Sequence, residues 1–234
     1  MENIRIDRIK KHFEEEAEEY DTVIPKLIPH YNQMVDALVS VVPFSKESRF
    51  SAIDLGCGTG TISKSIKKEF PNIDITCVDI SKNMLEIAKN KIGGIVNCIQ
   101  ADFNSFEFPR KYDLIVSSLA LHHLENDSDK LDFYRKIYTS LNKGGVFINI
   151  DVVLGNDDFT QELYMRKWQE FMKKSVSAEE IDGKWIPNYY AEDRPTKLIT
   201  HLDMLKVCGF SSIDVIYKFY NFAVYIAKNC AAGQ

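Results

Sequence analysis

The sequence predicts an α/β fold, with a mostly parallel sheet, helices on both faces and an antiparallel strand at the end. Three observations lead there. Short apolar runs alternate with helical segments through the middle of the chain, the pattern of parallel strands joined by crossover helices. The first apolar run ends in a turn with glycines at 56, 58 and 60, and a helical segment follows it. The last two apolar runs are only a few residues apart, too close for a crossover, so they form a hairpin.

Residues 1–45 precede the first strand. Ile6, Ile9 and Phe13 recur at helical spacing, followed by Ala17 and Tyr20-Asp21, and a second periodic stretch runs through Tyr31, Val35, Leu38 and Val39. Strand one spans 50–55 and is followed by the glycine turn and a helix over Thr61–Glu69. The turn needs backbone angles that a side chain disfavours, and glycine lets the main chain approach a ligand without an intervening Cβ. Strand two covers 73–78, with Asp79 at its end, and a helix over 84–91 follows. Strand three covers 95–100 and leads into Ala101-Asp102-Phe103. Strand four, 112–117, is followed by Ser118-Leu119-Ala120-Leu121-His122-His123-Leu124. A helix over 128–141 ends at Asn142-Lys143-Gly144-Gly145, read as a C-terminal glycine stop. Strand five, 146–150, is continuously apolar apart from Asn149 and therefore buried. A helix over 195–208 stops at Gly209-Phe210, and strands 212–217 and 222–227 close the chain.

Composition fits one enzyme domain. The chain has 234 residues, 45% of them hydrophobic and 27% charged, long enough to bury a substantial core. No apolar stretch approaches the roughly 20 residues of a membrane span, and Met1-Glu2-Asn3-Ile4-Arg5 has no signal-peptide core. The cysteines at 57, 77, 98, 208 and 230 are scattered without a Cys-x-x-Cys. That pattern implies a reducing, cytoplasmic setting with neither a metal nor a disulfide framework. The net charge of −5 argues against a general nucleic-acid binder. The lysines at 64, 67 and 68 and at 89 and 91 read as solvated helix faces.

The glycine turn and the acid that follows it indicate the ligand. Gly56, Gly58 and Gly60 alternate strictly, unlike the Gly-x-Gly-x-x-Gly turn that holds a pyrophosphate. Asp79, 19 residues after Gly60, can accept both ribose hydroxyls of a nucleoside. The alternative is that it caps the helix beginning near Ser81. Asp102, with Phe103 beside it, follows strand three and reads either as an acceptor for a ligand or as a solvated acid in a turn.

Ile53-Asp54-Leu55-Gly56-Cys57-Gly58-Thr59-Gly60 resembles the first motif of the class I S-adenosylmethionine (SAM) methyltransferases, and Asp79 and Asp102 fall where that family places its ribose and adenine contacts. The resemblance implies a Rossmann-like, seven-stranded sheet with its final strand reversed. It implies cofactor contacts from Tyr20, Asp54, Gly56, Cys57, Gly58, Gly60, Asp79, Ile80, Met84, Asp102, Phe103 and Ser118. It also implies that residues 1–45 form a helical lid on a SAM-binding domain at 46–234, with Tyr20-Asp21 at the pocket. Residues 155–194, rich in aromatic side chains (Phe159, Tyr164, Trp168, Phe171, Trp185, Tyr189, Tyr190), follow strand five, whose end lies over the ligand crevice. They are placed to cover a substrate, while Tyr164, Met165, Trp168 and Phe171 read first as a helix packing face.

Methyl transfer needs alignment and exclusion of water, and a general base only when the acceptor proton must leave. His122 is the candidate base, with His123 beside it. His30, His201, Tyr31 and Tyr189 are weaker candidates. Cys57 has no base placed near it and is not read as a nucleophile.

Pro29-His30-Tyr31, Thr200-His201, Gly209-Phe210 and Tyr220-Asn221-Phe222 further resemble carboxy-SAM synthase, which uses prephenate to carboxylate SAM. The arginine that this family needs for the added carboxylate would fall near Ile186, but no arginine lies between Arg166 and Arg194, leaving Lys184 as a partial substitute, and Gly58 stands where that family has a serine. The expected function is therefore transfer of a methyl group from SAM to an oxygen or nitrogen of a small or medium-sized acceptor. The alternatives are a carboxy-SAM synthase-like enzyme, a non-catalytic SAM-binding subunit and, against the glycine spacing, an NAD-dependent oxidoreductase. Whether the chain acts alone or as a homodimer is left open.

Overall fold

The computed structural model describes residues 2–229, and the side chains from residue 4; Cys230 lies outside the described residues. Three helices lead the chain: α1 (Glu2–Glu16), α2 (Tyr20–Leu27) and α3 (Tyr31–Ser40). The two periodic stretches thus form three helices, because the chain breaks after Glu16 and turns at His30, whose backbone is left-handed (φ 58°).

The central alternation is β1 (Ser51–Leu55), α4 (Thr61–Glu69), β2 (Asp74–Asp79), α5 (Lys82–Ile92), β3 (Asn97–Gln100), β4 (Tyr112–Ser118), α6 (Asp127–Thr139) and β5 (Leu141–Leu154). Helix starts are capped as the side chains dictate: Ser81 accepts from the Met84 amide, and Asn126 from that of Asp129. Then come α7 (Asp158–Met172), α8 (Ala178–Glu180), a π-helical turn (Ile181–Trp185) and α9 (Ile186–Glu192). The chain finishes with β6 (Thr196–Lys197), α10 (Leu198–Cys208), β7 (Ser212–Phe219) and β8 (Phe222–Lys228). Among the described residues no helix is long and apolar enough to cross a membrane.

The sheet order is β3-β2-β1-β4-β5-β8-β7. β8 is antiparallel to both neighbours, and the pairings among β1 to β5 are parallel. The reversed final strand of the expected fold is therefore present. β6 pairs parallel with the end of β5 and adds an eighth, two-residue strand to the seven expected. Alternate strand residues feed two cores: Leu114 and Val116 face Met34, Leu38, Ile66 and Trp168, whereas Ile115 faces Phe133, Ile137 and Leu205 on the other side.

Four boundaries differ from the sequence reading. The helix expected over 128–141 ends at Thr139, and Asn142 to Gly145 lie in an irregular stretch of β5, with Gly144 at φ 79°. The stop is therefore Ser140, and the glycines bend a strand. β5 continues past residue 150 to Leu154, because it is covered on both faces and buried from Val146 to Val153. Pro195 to Lys197 do not begin a helix, since Thr196 and Lys197 pair with β5. β3 begins at Asn97, and Ile95 is 99% exposed.

Candidate active site

The order of the sheet reverses between β1 and β4, and ligands in open α/β sheets bind beyond the strand ends at such a switch. A crevice partly open to solvent lies there. It is lined by Gly56 and Gly58 after β1, Asp79 and Ile80 at the end of β2, and Ala101 to Asn104 after β3. Ser118 to Ala120 follow from β4, and α1 and α2 close it with Ile6, Ile9, Phe13 and Tyr20. The helical stripe read in the leading segment is thus the cavity roof.

Gly58 has φ 52° and its amide donates to Asp79 Oδ2 at 2.8 Å, while the Ser81 amide donates to Asp79 Oδ1 at 2.9 Å. The helix-capping alternative for Asp79 is therefore excluded, because the cap of α5 is Ser81. Asp79 fixes the glycine turn, and each carboxylate oxygen has further acceptor capacity. Burial pushes its carboxyl up to about 6 against these amide hydrogen bonds. A Cβ on Gly56 would come within 2.3 Å of the Ala120 Cβ, so that glycine allows β1 and β4 to converge.

Of the other expected cofactor residues, Tyr20, Met84, Asp102, Phe103 and Ser118 line the same cavity. Asp54, Cys57 and Gly60 do not. Asp54 is fully buried behind the turn, accepts from the Ser63 hydroxyl at 2.6 Å and has its carboxyl pushed up to about 7 by burial. Cys57 packs with Cys77, Leu85 and Ala88, and its thiol is held up by the hydrogen bond with Cys77 and by burial. That is the opposite of an activated nucleophile. Gly60 meets Ala88 of α5. Asp21 accepts from Thr59 at 2.6 Å and pairs with Lys91 at 2.7 Å, fastening α2 to the glycine turn.

A second cavity, also partly open to solvent, adjoins the first and shares Phe13, Tyr20, Leu119 and His123 with it. Leu119 is one of three non-glycine residues with positive φ among those described, a conformation that is costly for leucine and recurs at functional sites. Trp168, Trp185, Tyr189 and Phe222 supply the apolar side of this cavity. Trp168 serves both roles read for α7: its indole donates to the Leu27 carbonyl at 2.7 Å, and the ring lines the cavity. Tyr164 and Phe171 lie elsewhere, Tyr164 against Tyr220 and Phe171 under Lys174.

His122 lies in a 3-10 turn (Leu121–His123) and lines the second cavity, not the first. Its Nδ1 meets Asp151 Oδ1 at 2.5 Å, and its Nε2 lies 3.5 Å from Asp193 Oδ1. Burial opposes the charge on this imidazole, but Asp193 and Asp151 together raise its pKa. His123 Nδ1 lies 3.5 Å from the same Asp193 oxygen, and burial and His122 hold His123 well below the usual range. Burial likewise pushes Asp193 up to about 6. The sequence reading missed Asp151 and Asp193. Asp151 had a signal, since it interrupts an apolar run that must be buried, and a buried acid needs a partner.

The weaker candidates are not all near the site. Tyr189 lines the second cavity, but His30 meets Phe219 edge to face, and His201 is buried with Tyr134. Lys184 pairs with Glu16 at 2.6 Å and lies over Trp185, while Ile186 packs against the core. Among the described residues, neither cavity is lined by a lysine or an arginine.

The fold and this crevice define a nucleoside-binding α/β protein, and comparison with known proteins agrees. Residues 52–145 match the family model described as a methyltransferase domain. A carboxy-S-adenosyl-L-methionine synthase of Campylobacter hominis is 27% identical, covering 95% of this chain and 97% of its own length. Among solved structures, the complex titled DhpI-SAM-HEP superposes with TM-score 0.67 at 18% identity, covering 95% of this chain and 96% of that one. The SAM-dependent methyltransferase SibL superposes at 0.62 with 16% identity, covering 86% of this chain, which spans 55% of that structure's length. Residues 52–145 thus carry a methyltransferase domain, the chain as a whole is similar to SAM-using enzymes of this fold, and its cofactor is SAM.

Proposed function

We propose that this enzyme transfers a methyl group from SAM to an oxygen or nitrogen of a small or medium-sized acceptor held in the second cavity. One observation carries the reading: two adjoining cavities meet at a wall shared by Phe13, Tyr20, Leu119 and His123. Asp79 is the ribose acceptor in this reading, Asp102 and Phe103 serve the adenine, and the Gly56–Gly58 backbone passes the amino-acid portion. SAM supplies an electrophilic methyl on a sulfonium with a neutral leaving group. The protein aligns acceptor and donor across the shared wall, and α1 and α2 keep water out. An acceptor proton would leave toward the wall of His122, His123 and Asp193, where Asp151 holds the His122 ring.

Carboxy-SAM synthesis is the second reading, favoured by the relative that matches over nearly its whole length. Among the described residues no lysine or arginine lines either cavity and the lining cation His12 is already held by Glu16 and Glu192, which weighs against it, because a carboxylate taken out of water needs a fixed cation of its own. Incubation with methyl-labelled SAM and a small-molecule extract tests the choice. Label in an extract compound together with S-adenosylhomocysteine supports methyl transfer. Prephenate-dependent formation of a heavier SAM derivative would replace it with the second reading, and SAM binding with no turnover would leave a binding subunit.

A further inference from the structure

The wall of the second cavity carries three groups of ligating chemistry close together. The ring nitrogens of His122 and His123 and a carboxylate oxygen of Asp193 all lie within 4.8 Å of one another. Two of the three separations, both to Asp193 Oδ1, are 3.5 Å. Ligands about 2.0–2.1 Å from a tetrahedral ion are roughly 3.3 Å apart. Two pairs are thus already near the spacing an ion imposes, and a small rotation of one imidazole would close the third.

The supporting groups fit the same chemistry. Asp151, with no exposed surface, takes the Nδ1 side of His122 and leaves Nε2 toward Asp193. A carboxylate behind a histidine, fixing which nitrogen points inward, is the usual support of a metal-bound imidazole. Asp151 is itself held by Asn149, whose side-chain amide donates to its Oδ2 at 3.2 Å. Charge balances as well, since two neutral imidazoles and the carboxylates of Asp193 and Asp151 offset a dication. The nearby cations are engaged elsewhere: Arg5 with Glu125 and the carbonyls of His123 and Glu192, and Lys130 with the Leu124 carbonyl.

We propose that His122, His123 and Asp193 form a divalent transition-metal site with an open position on the acceptor cavity, and that the acceptor is a hydroxyl compound that coordinates there. Two histidines and one carboxylate suit Zn²⁺, Co²⁺ or Fe²⁺ rather than Mg²⁺ or Ca²⁺. Coordination would release the hydroxyl proton to solvent. The oxygen lone pair would then form the C–O bond as the C–S bond of the sulfonium breaks to a neutral thioether. The acceptor role rests on the proposed methyl transfer, whereas binding of the ion does not.

The test is therefore metal binding, read without turnover. Chelator-stripped protein is titrated with Zn²⁺ by calorimetry and with Co²⁺ by visible absorption. Expected are one equivalent bound per chain and Co²⁺ bands of nitrogen and oxygen ligation. Asp193→Asn and His123→Ala should each weaken Zn²⁺ binding by about 10-fold or more, and Asp151→Asn by about 10-fold. Thermal melts establish that the variants are folded. If they are not, the wild-type Co²⁺ spectrum decides, because thiolate charge-transfer bands would assign the ion to cysteine and overturn the proposal. No saturable binding, or binding unchanged in folded Asp193→Asn, would overturn it too. S-adenosylhomocysteine titrated separately keeps that failure distinct from failure of the methyl-transfer reading.

Discussion

Asp79→Asn separates ligand binding from folding at the most committed position of the first cavity. In the free protein the Asp79 carboxylate is 7% exposed and accepts from the Gly58 and Ser81 amides. Its pKa of about 6, against the ordinary 3.8, means that keeping it ionised at neutral pH costs the fold about 3 kcal/mol. The sign follows: the folded value is raised, so the free protein is most stable with Asp79 protonated and loses that stability as pH rises from about 4 through about 6. Asparagine removes this cost but can accept from only one of the two amides, and the orphaned one costs about 1–3 kcal/mol. The two terms nearly cancel, so the variant should melt close to wild type at pH 7. Binding behaves differently, because ribose hydroxyls that lose a charged acceptor lose about 2–3 kcal/mol, or about 30- to 160-fold in Kd. Wild-type affinity should also fall below pH 6, as the carboxyl protonates, while the variant stays flat there. Calorimetric titration with S-adenosylhomocysteine between pH 5 and 8 (the assay range), paired with melts, checks both. A folded Asp79→Asn protein with wild-type affinity would refute the ribose assignment.

Three further outcomes are expected. Gly58→Val places a β-branched residue at φ 52°, where a new Cβ would meet the Tyr20 ring at 3.7 Å; strain of about 1–3 kcal/mol should leave a folded protein that no longer binds SAM, and a stable variant with full affinity would overturn the turn's role. If α1 and α2 act as a lid, S-adenosylhomocysteine should raise their protection from hydrogen exchange, and full protection without ligand would rule out a moving lid. His12, between Glu16 and Glu192 at 3.0 and 2.6 Å, is raised to about 9 because these acids outweigh its burial. The stability it gives α1 is present below about pH 6.5 and lost as pH rises through 9, and tryptophan fluorescence through Trp185 on the same cavity should change across that window; a flat profile would contradict the linkage.

The fold was legible where one local rule acts at a time. The helix Thr61–Glu69 has the bounds read from its periodicity, because a left-handed glycine starts it and an apolar stripe of Ile62 and Ile66 buries it. Legibility failed where tertiary pairing outweighed local signals. Gly144-Gly145 has the look of a helix stop, yet these residues belong to a strand, where the Gly144 amide donates to the Asn229 carbonyl and the Gly145 carbonyl accepts from the Asn229 amide. Thr196-Lys197 joined a sheet for the same reason: the end of β5 offered a free edge that no local propensity announces.

The first cavity was readable because it is lined largely by backbone turns and strand ends, whose positions follow from the alternation of strands and helices. The second was not, because it is assembled from segments far apart in the chain. His122 follows β4, Asp151 lies inside β5, and Asp193 follows α9. The histidine pair carries no partner information of its own. What selects its chemistry is a carboxylate 29 residues on and another 71 residues on, placed by the length of β5 and by the insert that returns over it. Had β5 ended at residue 150, as its most apolar run implies, Asp151 would lie in a loop with water to solvate it. Two covered faces and the pairing with β8 extend the strand, bury the acid and oblige it to find His122. The same extension that misled the sequence reading therefore creates the wall on which an acceptor would lose its proton.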